Sequence, residues 1–224
     1  MLKRPLIVGC KGGMGQRYAA IFRSLGVEFL GIDRGDKIPS GFDSVLIATP
    51  TVTHVDMIDT YSEFNVPILC EKPLSTDMLS ALIICDIAES ERIELEMVNQ
   101  YAFAAPMTTE AGLTYYNYFK TGQDGLYWDT ISISALANGP VEIDNKSPIW
   151  SCTINGHPLT LSEIDGSYIA MIEAWLARKT SHLGIPYIRS AHTKVQRLIE
   201  ACRYEGVNRD SGTLGFNAVT GQGF

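Results

Sequence analysis

Three glycines near the start of the chain have the spacing of a phosphate-binding turn. Gly9, Gly12 and Gly15 follow a short apolar run that begins at Leu6, and they precede a helical pattern. Glycine lets the backbone turn tightly and lets a pyrophosphate approach it, and a helix start offers unpaired N–H groups with partial positive charge. The spacing is G-x-x-G-x-x-G, and a plain strand-to-helix turn is the alternative interpretation. The strand before it and the helix after it favour phosphate binding.

An acidic residue completes this pattern at the end of the second apolar run. Asp33 lies eighteen residues after Gly15, close to the roughly 20 residues expected for the carboxylate that binds adenosine ribose hydroxyls. Such a carboxylate would repel a 2′-phosphate, whereas Arg34 would either bind that phosphate or stack on adenine. The sequence therefore predicts a nicotinamide dinucleotide, NAD or NADP, with NAD favoured. We expect this part of the site to comprise Gly9, Lys11, Gly12, Gly13, Met14, Gly15, Asp33 and Arg34.

Two further motifs make the interpretation more specific. Ala48-Thr49-Pro50 is followed by His54, and Glu71-Lys72-Pro73 comes about twenty residues later. From Leu6 to about Asp77 the chain strongly resembles the glucose–fructose oxidoreductase / inositol dehydrogenase family (Gfo/Idh/MocA). The resemblance implies that Thr49, Pro50, His54, Glu71 and Lys72 border the cofactor, and that the peptide bond before Pro73 is cis. It also implies that the Lys72 ammonium lies beside the nicotinamide and the reacting hydroxyl, where it helps to move a proton.

The resemblance weakens in the second half of the chain. The family usually carries an Asp-x-Gly-x-His segment there, and the best match begins at Asp129, with Ile131 and Ile133 in place of the glycine and histidine. Asp129 and Tyr127 are therefore candidate helpers of Lys72 in catalysis, and a buried structural aspartate is the alternative for Asp129. The second half is also shorter than is usual in the family, while its final helices resemble the family's closing helices. The resemblance therefore implies a deletion within its sheet rather than loss of the end of the chain.

Three functions remain open at this point. The resemblance favours an NAD(P)-dependent oxidoreductase that transfers a hydride between nicotinamide and a secondary alcohol or ketone of a sugar, nucleotide-sugar or cyclitol. A non-catalytic dinucleotide-binding protein derived from this family would explain the missing histidine. A reductase of another small substrate, such as an imine, is the third, because Gly12-Gly13-Met14-Gly15 is similar to the loop of dihydrodipicolinate reductases.

Alternating strand and helix patterns must position these residues. Over the first hundred residues they predict an α/β fold, a Rossmann domain with a parallel sheet, and a trimmed loop between Asp33 and Ser44. The helix from Ser75 to Arg92 shows a stripe expected to be buried, which consists of Met78, Leu79, Leu82, Ile83 and Ile87. Another helix is expected from Thr53 to Phe64, with Thr53 as its N-cap residue.

The second half predicts a smaller α+β domain of reduced size. Strands are expected over 125–136, 149–155 and 157–161, and helices over 167–178 and 192–203. We divide the chain into a dinucleotide-binding domain (1–100), a truncated substrate and oligomerisation domain (101–206) and a loose C-terminal tail (207–224). The shortened sheet would leave a face of apolar residues uncovered, namely Leu126, Trp128, Ile131 and Ile133. Because such a face needs a partner, we expect a homodimer through this sheet.

Composition narrows the class of protein. The 224 residues carry a formal net charge of −7 with no Lys/Arg cluster, which argues against a nucleic-acid or anionic-membrane partner. No apolar run reaches the roughly 18 residues that cross a bilayer. Five scattered cysteines without a CxxC pair predict free thiols, no metal site and a cytoplasmic location. A small molecule is the expected partner.

Overall fold

The described part of the chain forms two compact units. A computed structural model describes residues 1–103, 113–122, 125–134, 141–144, 151–154, 157–158 and 160–193. The first unit combines Met1–Val98 with Ile172–Thr193, and the second combines Asn99–Met171 with Lys194–Phe224. The segment Ile172–Thr193, expected in the second domain, therefore groups with the first unit. The predicted roles of the two domains and of the tail stay predictions.

A parallel sheet of five strands forms the centre of the first unit. The strands are β1 (Pro5–Val8), β2 (Leu30–Ile32), β3 (Ser44–Ile47), β4 (Ile68–Cys70) and β5 (Leu95–Met97), in the order β2-β1-β3-β4-β5. Every residue of β1, β3, β4 and β5 is buried, as their continuous apolar runs require in a sheet covered on both faces. The predicted α/β Rossmann fold is confirmed.

Helices connect these strands, with one exception. The connecting helices are α1 (Gly13–Ser24), α2 (His54–Ser62) and α3 (Met78–Ser90), and two further helices, α4 (Leu161–Leu176) and α5 (185–193), lie later in the chain. Between β2 and β3 the chain forms the predicted loop without a helix. Asp77 caps α3 by accepting a hydrogen bond from the Ser80 N–H at 2.8 Å. Gly26, with a φ of +66°, ends the turn after α1.

The prediction of the buried face of α3 was wrong. Leu79 and Ile83 were expected in the core, but they are 66% and 48% exposed. The face that packs against the protein consists of Ala81, Ile84, Cys85 and Ala88. Because α3 is apolar around most of its circumference, its periodicity does not identify one face. The small side chains of Ala81 and Ala88 allow the closer approach on the side that is buried.

The chain direction within the sheet creates a crevice. From β1 the chain moves outward to β2 and then returns to β3 on the other side of β1. In open α/β sheets ligands bind at the carboxyl ends of the strands where the order reverses in this way. The loops that follow β1 and β3 therefore border the expected binding site, and the loop that follows β4 is the next one along the same edge.

The second unit contains antiparallel strands, as the sequence predicted. A hairpin is formed by β6 (Leu113–Gly122) and β7 (Gly125–Ser134), and β8 (Val141–Asp144), β9 (Ser151–Ile154) and β10 (His157–Pro158) form a second sheet. The prediction missed β6 and β8. It also began α4 at Ser167 instead of Leu161, because Gly166 reads as a break in a helix that in fact continues through it. No helix in the described residues is long and apolar enough to cross a membrane.

Candidate functional site at the carboxyl edge of the parallel sheet

The glycine loop after β1 has a geometry that side chains would not allow. Gly9 has a φ of +88°, and its N–H donates to the Ile32 carbonyl of β2 at 2.8 Å. A Cβ atom at Gly9 would lie 2.9 Å from the Ala48 carbonyl oxygen, which follows β3. The tight turn closes through a hydrogen bond of 3.1 Å from the Gly12 N–H to the Gly9 carbonyl. Gly9 thus allows the loops after β1 and β3 to approach each other.

The start of α1 is equally restricted at one glycine and open at another. A Cβ atom at Gly15 would lie 2.1 Å from the Gly9 carbonyl oxygen, whereas one at Gly13 would meet nothing within 4 Å. Gly12 occupies the N-cap position without a side-chain cap, and the first turn of α1 has no acidic residue. The first N–H groups of α1, from Gly13, Met14 and Gly15, are therefore available at an uncapped helix start that suits a pyrophosphate.

Asp33 follows β2 and is fixed by the glycine loop. Its Oδ2 atom accepts hydrogen bonds from the Lys11 backbone N–H and the Cys10 thiol, each at 3.1 Å. The Lys11 Nζ atom lies 3.9 Å from the same oxygen. Burial and then the Asp33 carboxylate raise the pKa of the Cys10 thiol, so the sulfur remains a proton donor. Asp33 is thereby held in place, while Arg34 beside it is exposed.

The loop after β3 brings Thr49 and Pro50 to the same edge. The Thr53 Oγ1 atom lies 2.8 Å from both the Thr49 Oγ1 atom and the Pro50 carbonyl oxygen, so one hydroxyl bridges the two. Thr53 occupies the N-cap position of α2, but its side chain makes no capping hydrogen bond, so the predicted cap was wrong. Its hydroxyl closes the loop that begins at Thr49 instead.

His54, the first residue of α2, connects two loops. Its Nδ1 atom lies 2.8 Å from the Pro73 carbonyl oxygen, and its Nε2 atom lies 2.9 Å from the Thr49 carbonyl oxygen. The ring is 1% exposed, and both of its nitrogens face protein carbonyls. The prediction that His54 borders the cofactor stays a prediction, and any contribution of the ring nitrogens there acts through these two loops.

Glu71 and Lys72 follow β4 at the carboxyl edge. The Glu71 N–H donates to the Ile47 carbonyl of β3 at 2.9 Å. The buried Glu71 carboxylate accepts from the Tyr18 hydroxyl of α1 and, at 3.0 Å, from the Lys72 backbone N–H. The Lys72–Pro73 peptide bond is cis, as the resemblance implied. The Glu71 carboxylate therefore links α1 to the backbone of Lys72.

Sequence reasoning missed two of these contributors. Neither Tyr18, which is buried in α1, nor the free thiol Cys10 was among the predicted site residues. Burial of Tyr18 was visible from its helical spacing, but its partner Glu71 lies 53 residues away along the chain. A polar atom at the tip of an otherwise apolar helix face is the one available signal, because a buried tyrosine hydroxyl usually has a partner.

The two other candidate catalytic residues lie in β7 of the second unit. Tyr127 pairs with Lys120 and Asp129 pairs with Tyr118 in the antiparallel register of β6 and β7. The positions of their side chains lie outside what the structure describes. Their catalytic roles stay predictions.

Comparisons with known proteins agree with this geometry. Residues 17–97 match the model of an oxidoreductase family with an NAD-binding Rossmann fold. The rhizopine catabolism protein MocA of Rhizobium meliloti is 42% identical over 64 residues, which are 28% of this chain and 20% of that protein. The match therefore spans about a fifth of the length of this curated relative.

Solved structures share the fold at low sequence identity. A myo-inositol dehydrogenase from Corynebacterium glutamicum aligns with a TM-score of 0.59 and 12% identity, over 97% of this chain and 100% of that one. An oxidoreductase from Agrobacterium radiobacter, in complex with NAD+, L-tartaric acid and magnesium, aligns with a TM-score of 0.56 and 14% identity, over 96% of this chain and 98% of that one. The WlbA (WbpB) dehydrogenase from Thermus thermophilus, in complex with NAD and UDP-GlcNAcA, aligns with a TM-score of 0.52 and 14% identity, over 86% of this chain and 93% of that one.

The motifs, the fold and the family match converge on one group of proteins. The glycine loop, the ordered Asp33 and the Glu71-Lys72-Pro73 loop all lie at the carboxyl edge of the same parallel sheet. The match to the family model covers four of the five strands of that sheet. Within its N-terminal Rossmann domain, residues 17–97 of this chain are similar to the Gfo/Idh/MocA family of oxidoreductases.

Proposed function

We propose that the protein is an NAD(P)-dependent oxidoreductase that interconverts a secondary alcohol and a ketone on a sugar, nucleotide-sugar or cyclitol. The observation that carries this proposal is the position of Lys72. Its loop lies at the carboxyl edge of the sheet and is fixed from α1 through Glu71 and from α2 through His54. A lysine held in this way supplies a positioned proton donor and acceptor next to the crevice where a dinucleotide fits.

The cofactor assignment rests on the glycine loop and Asp33. The crowding at Gly9 and Gly15 and the uncapped start of α1 fit a pyrophosphate, and we propose that Asp33, which the glycine loop holds in place, accepts hydrogen bonds from ribose hydroxyls. A bound nicotinamide would donate or accept the hydride. We propose NAD as the preferred form, since the Asp33 carboxylate would repel a 2′-phosphate, whereas the exposed Arg34 next to it in the chain would attract one.

In this mechanism Lys72 exchanges a proton with the substrate oxygen while hydride moves to or from the adjacent carbon. Glu71 acts on Lys72 through the backbone by accepting the Lys72 N–H. We propose Asp129 and Tyr127 as its helpers from the second unit. We also propose that the protein acts in the cytoplasm on a small-molecule substrate and that it forms a homodimer through the sheet of the second unit, which light scattering at micromolar concentration would reveal.

Fluorescence titration with NADH and NADPH tests the cofactor assignment. We expect tighter binding of NADH, and we expect Asp33→Ser to weaken NADH binding about tenfold while it narrows the preference over NADPH, because a carboxylate hydrogen bond contributes about 1.5–3 kcal/mol. Failure of the protein to bind either dinucleotide at millimolar concentration would remove the cofactor assignment.

A screen for turnover tests the reaction. Sugars, nucleotide-sugars and cyclitols are screened by absorbance of the reduced cofactor, with Lys72→Ala and Lys72→Met beside the wild type. Loss of a positioned acid–base group is expected to lower kcat by about 10²–10⁴-fold. Lys179→Ala removes an exposed lysine of the same unit and is the matched control. Turnover that survives both Lys72 substitutions would contradict the role of Lys72, and bound cofactor without turnover would favour the non-catalytic alternative.

A further inference from the structure

The His54 ring occupies a position that two acceptors share. Its two nitrogens lie 2.8 and 2.9 Å from the carbonyl oxygens of Pro73 and Thr49. Those carbonyls belong to the loops after β4 and β3, which carry Lys72 and the cofactor-bordering residues. A carbonyl oxygen can only accept a hydrogen bond. The ring is therefore the donor in both contacts whenever both are hydrogen bonds.

The protonation state of the ring decides how many of these contacts it can make. A neutral imidazole has one N–H and donates to one carbonyl, whereas an imidazolium has two and donates to both. With a neutral ring the second nitrogen turns a lone pair toward an oxygen at hydrogen-bond distance. The ring is 1% exposed, so water is not available to relieve that repulsion.

We propose that His54 is a positioning residue that ties the Lys72 loop to the Thr49 loop, and that the tie is completed when the ring carries both protons. The inference rests on the proposed function, since it assigns a use to the position of Lys72. His54 touches neither the cofactor nor the substrate in this scheme. It acts through Pro73, the residue directly after Lys72, and through the carbonyl of Thr49.

The electrostatic surroundings of the ring set when the second proton binds. Burial lowers the pKa of His54 below its ordinary value of 6.5, while the carbonyls of Thr49, Pro73 and Leu74 and the Glu71 carboxylate oppose that decrease. Among the described residues, Glu71 is the charged group that acts on this ring, and the Tyr18 hydroxyl donates to it. The second N–H is therefore gained on acidification, and removal of the Glu71 charge moves this step to lower pH.

The test follows His54 and Lys72 separately in the full chain. Long-range ¹H–¹⁵N NMR reports the number of protons on the His54 ring as a function of pH, in the wild type and in Glu71→Gln. Lysines are then reductively dimethylated with ¹³C-formaldehyde and cyanoborohydride, and the Lys72 resonance is assigned by its loss in Lys72→Arg. His54→Phe removes both donors and His54→Gln retains one amide nitrogen. His192→Phe replaces a second buried histidine of the same unit, whose ring lies 3.0 Å from the Ile188 carbonyl.

We expect the Lys72 resonance to shift in His54→Phe, to shift less in His54→Gln and to stay in place in His192→Phe. In the wild type it should follow the pH at which the His54 ring gains its second proton, and that pH should fall in Glu71→Gln. Where a substrate is known, kcat should fall at least tenfold in His54→Phe, because small displacements of a catalytic group are costly. An unmoved Lys72 resonance, or equal shifts in the two phenylalanine variants, overturns the inference. Failure to bind NADH in the wild type would instead count against the proposed function, since the NMR measurements need no cofactor.

Discussion

Gly15→Ala is expected to damage the cofactor loop while Gly13→Ala leaves it intact. A Cβ atom at Gly15 would lie 2.1 Å from the Gly9 carbonyl oxygen and 2.7 Å from the Cys10 Cα atom. An ordinary contact begins near 3.4 Å, so the loop and α1 must separate by about 1.3 Å, the difference between these two distances. The displaced atoms are backbone, which cannot rotate away as a side chain would.

The magnitude follows from the packing of this turn. Forcing extra atoms into a close-packed site costs about 1–3 kcal/mol, which for a chain of this size lowers Tm by roughly 2–12 °C. At Gly13 a Cβ atom meets nothing within 4 Å. Alanine there is expected to stabilise the protein by about 0.4–1 kcal/mol, because it restricts the unfolded chain more than glycine does. The two substitutions add the same methyl group and should change stability in opposite directions.

Thermal unfolding and NADH titration measure the two effects together. We expect Gly15→Ala to weaken NADH binding tenfold or more, since losing even one hydrogen bond to a charged phosphate costs about 1.5–3 kcal/mol. Gly13→Ala should retain wild-type affinity within a few fold. A Gly15→Ala protein with the wild-type Tm and NADH affinity would refute the packing argument. Equal loss of NADH affinity in Gly15→Ala and Gly13→Ala would mean that the added methyl group obstructs the phosphates directly and does not act by distorting the turn.

Two further substitutions probe buried polar groups. Tyr18→Phe removes the hydroxyl that donates to the buried Glu71 carboxylate and should lower the free energy of unfolding by about 1.5–3 kcal/mol. Tyr61→Phe is the control, since the Tyr61 ring packs in an aromatic cluster, and it should change the free energy of unfolding only slightly. Equal losses of stability in the two variants would contradict the hydrogen bond assigned to Tyr18. Burial raises the pKa of Glu96, so the folded state holds a proton that the unfolded state has lost, and stability falls as pH rises from the ordinary value of 4.5 through the raised one. Urea unfolding across this range should show that Glu96→Gln removes this decrease and is more stable than the wild type at pH 7. Glu63→Gln, which changes an exposed glutamate that does not act on Glu96, should leave the slope unchanged.

Several features of the site could be predicted because they depend on neighbouring residues. The spacing of Gly9, Gly12 and Gly15 predicted the turn, and the position of Asp33 at the end of a strand predicted its proximity to that turn. The motif around Lys72 predicted a loop at the carboxyl edge of the sheet. In each instance a strand of the parallel sheet fixes where the following residue lies, so local pattern and chain direction were sufficient.

Contacts between distant segments could not be predicted in the same way. Nothing in the sequence near Tyr18 indicates that its hydroxyl reaches Glu71, because that contact depends on how α1 packs across the sheet. The buried face of α3 was misassigned because Leu79 and Ile83 are as apolar as the residues that are buried. Helix α4 was begun too late because the cost of Gly166 within a helix is offset by packing that the sequence does not show.

The sequence by itself determined the alternating pattern of the first domain, the phosphate turn and the residues placed at its strand ends. Those features follow from backbone conformation and from apolar runs, which are properties of short segments. Only the tertiary structure decided that Cys10 and Lys11 hold Asp33, and that His54 joins the loops of Thr49 and Pro73. Such contacts depend on the order of strands in the sheet, which brings together carbonyls and side chains that no local pattern relates.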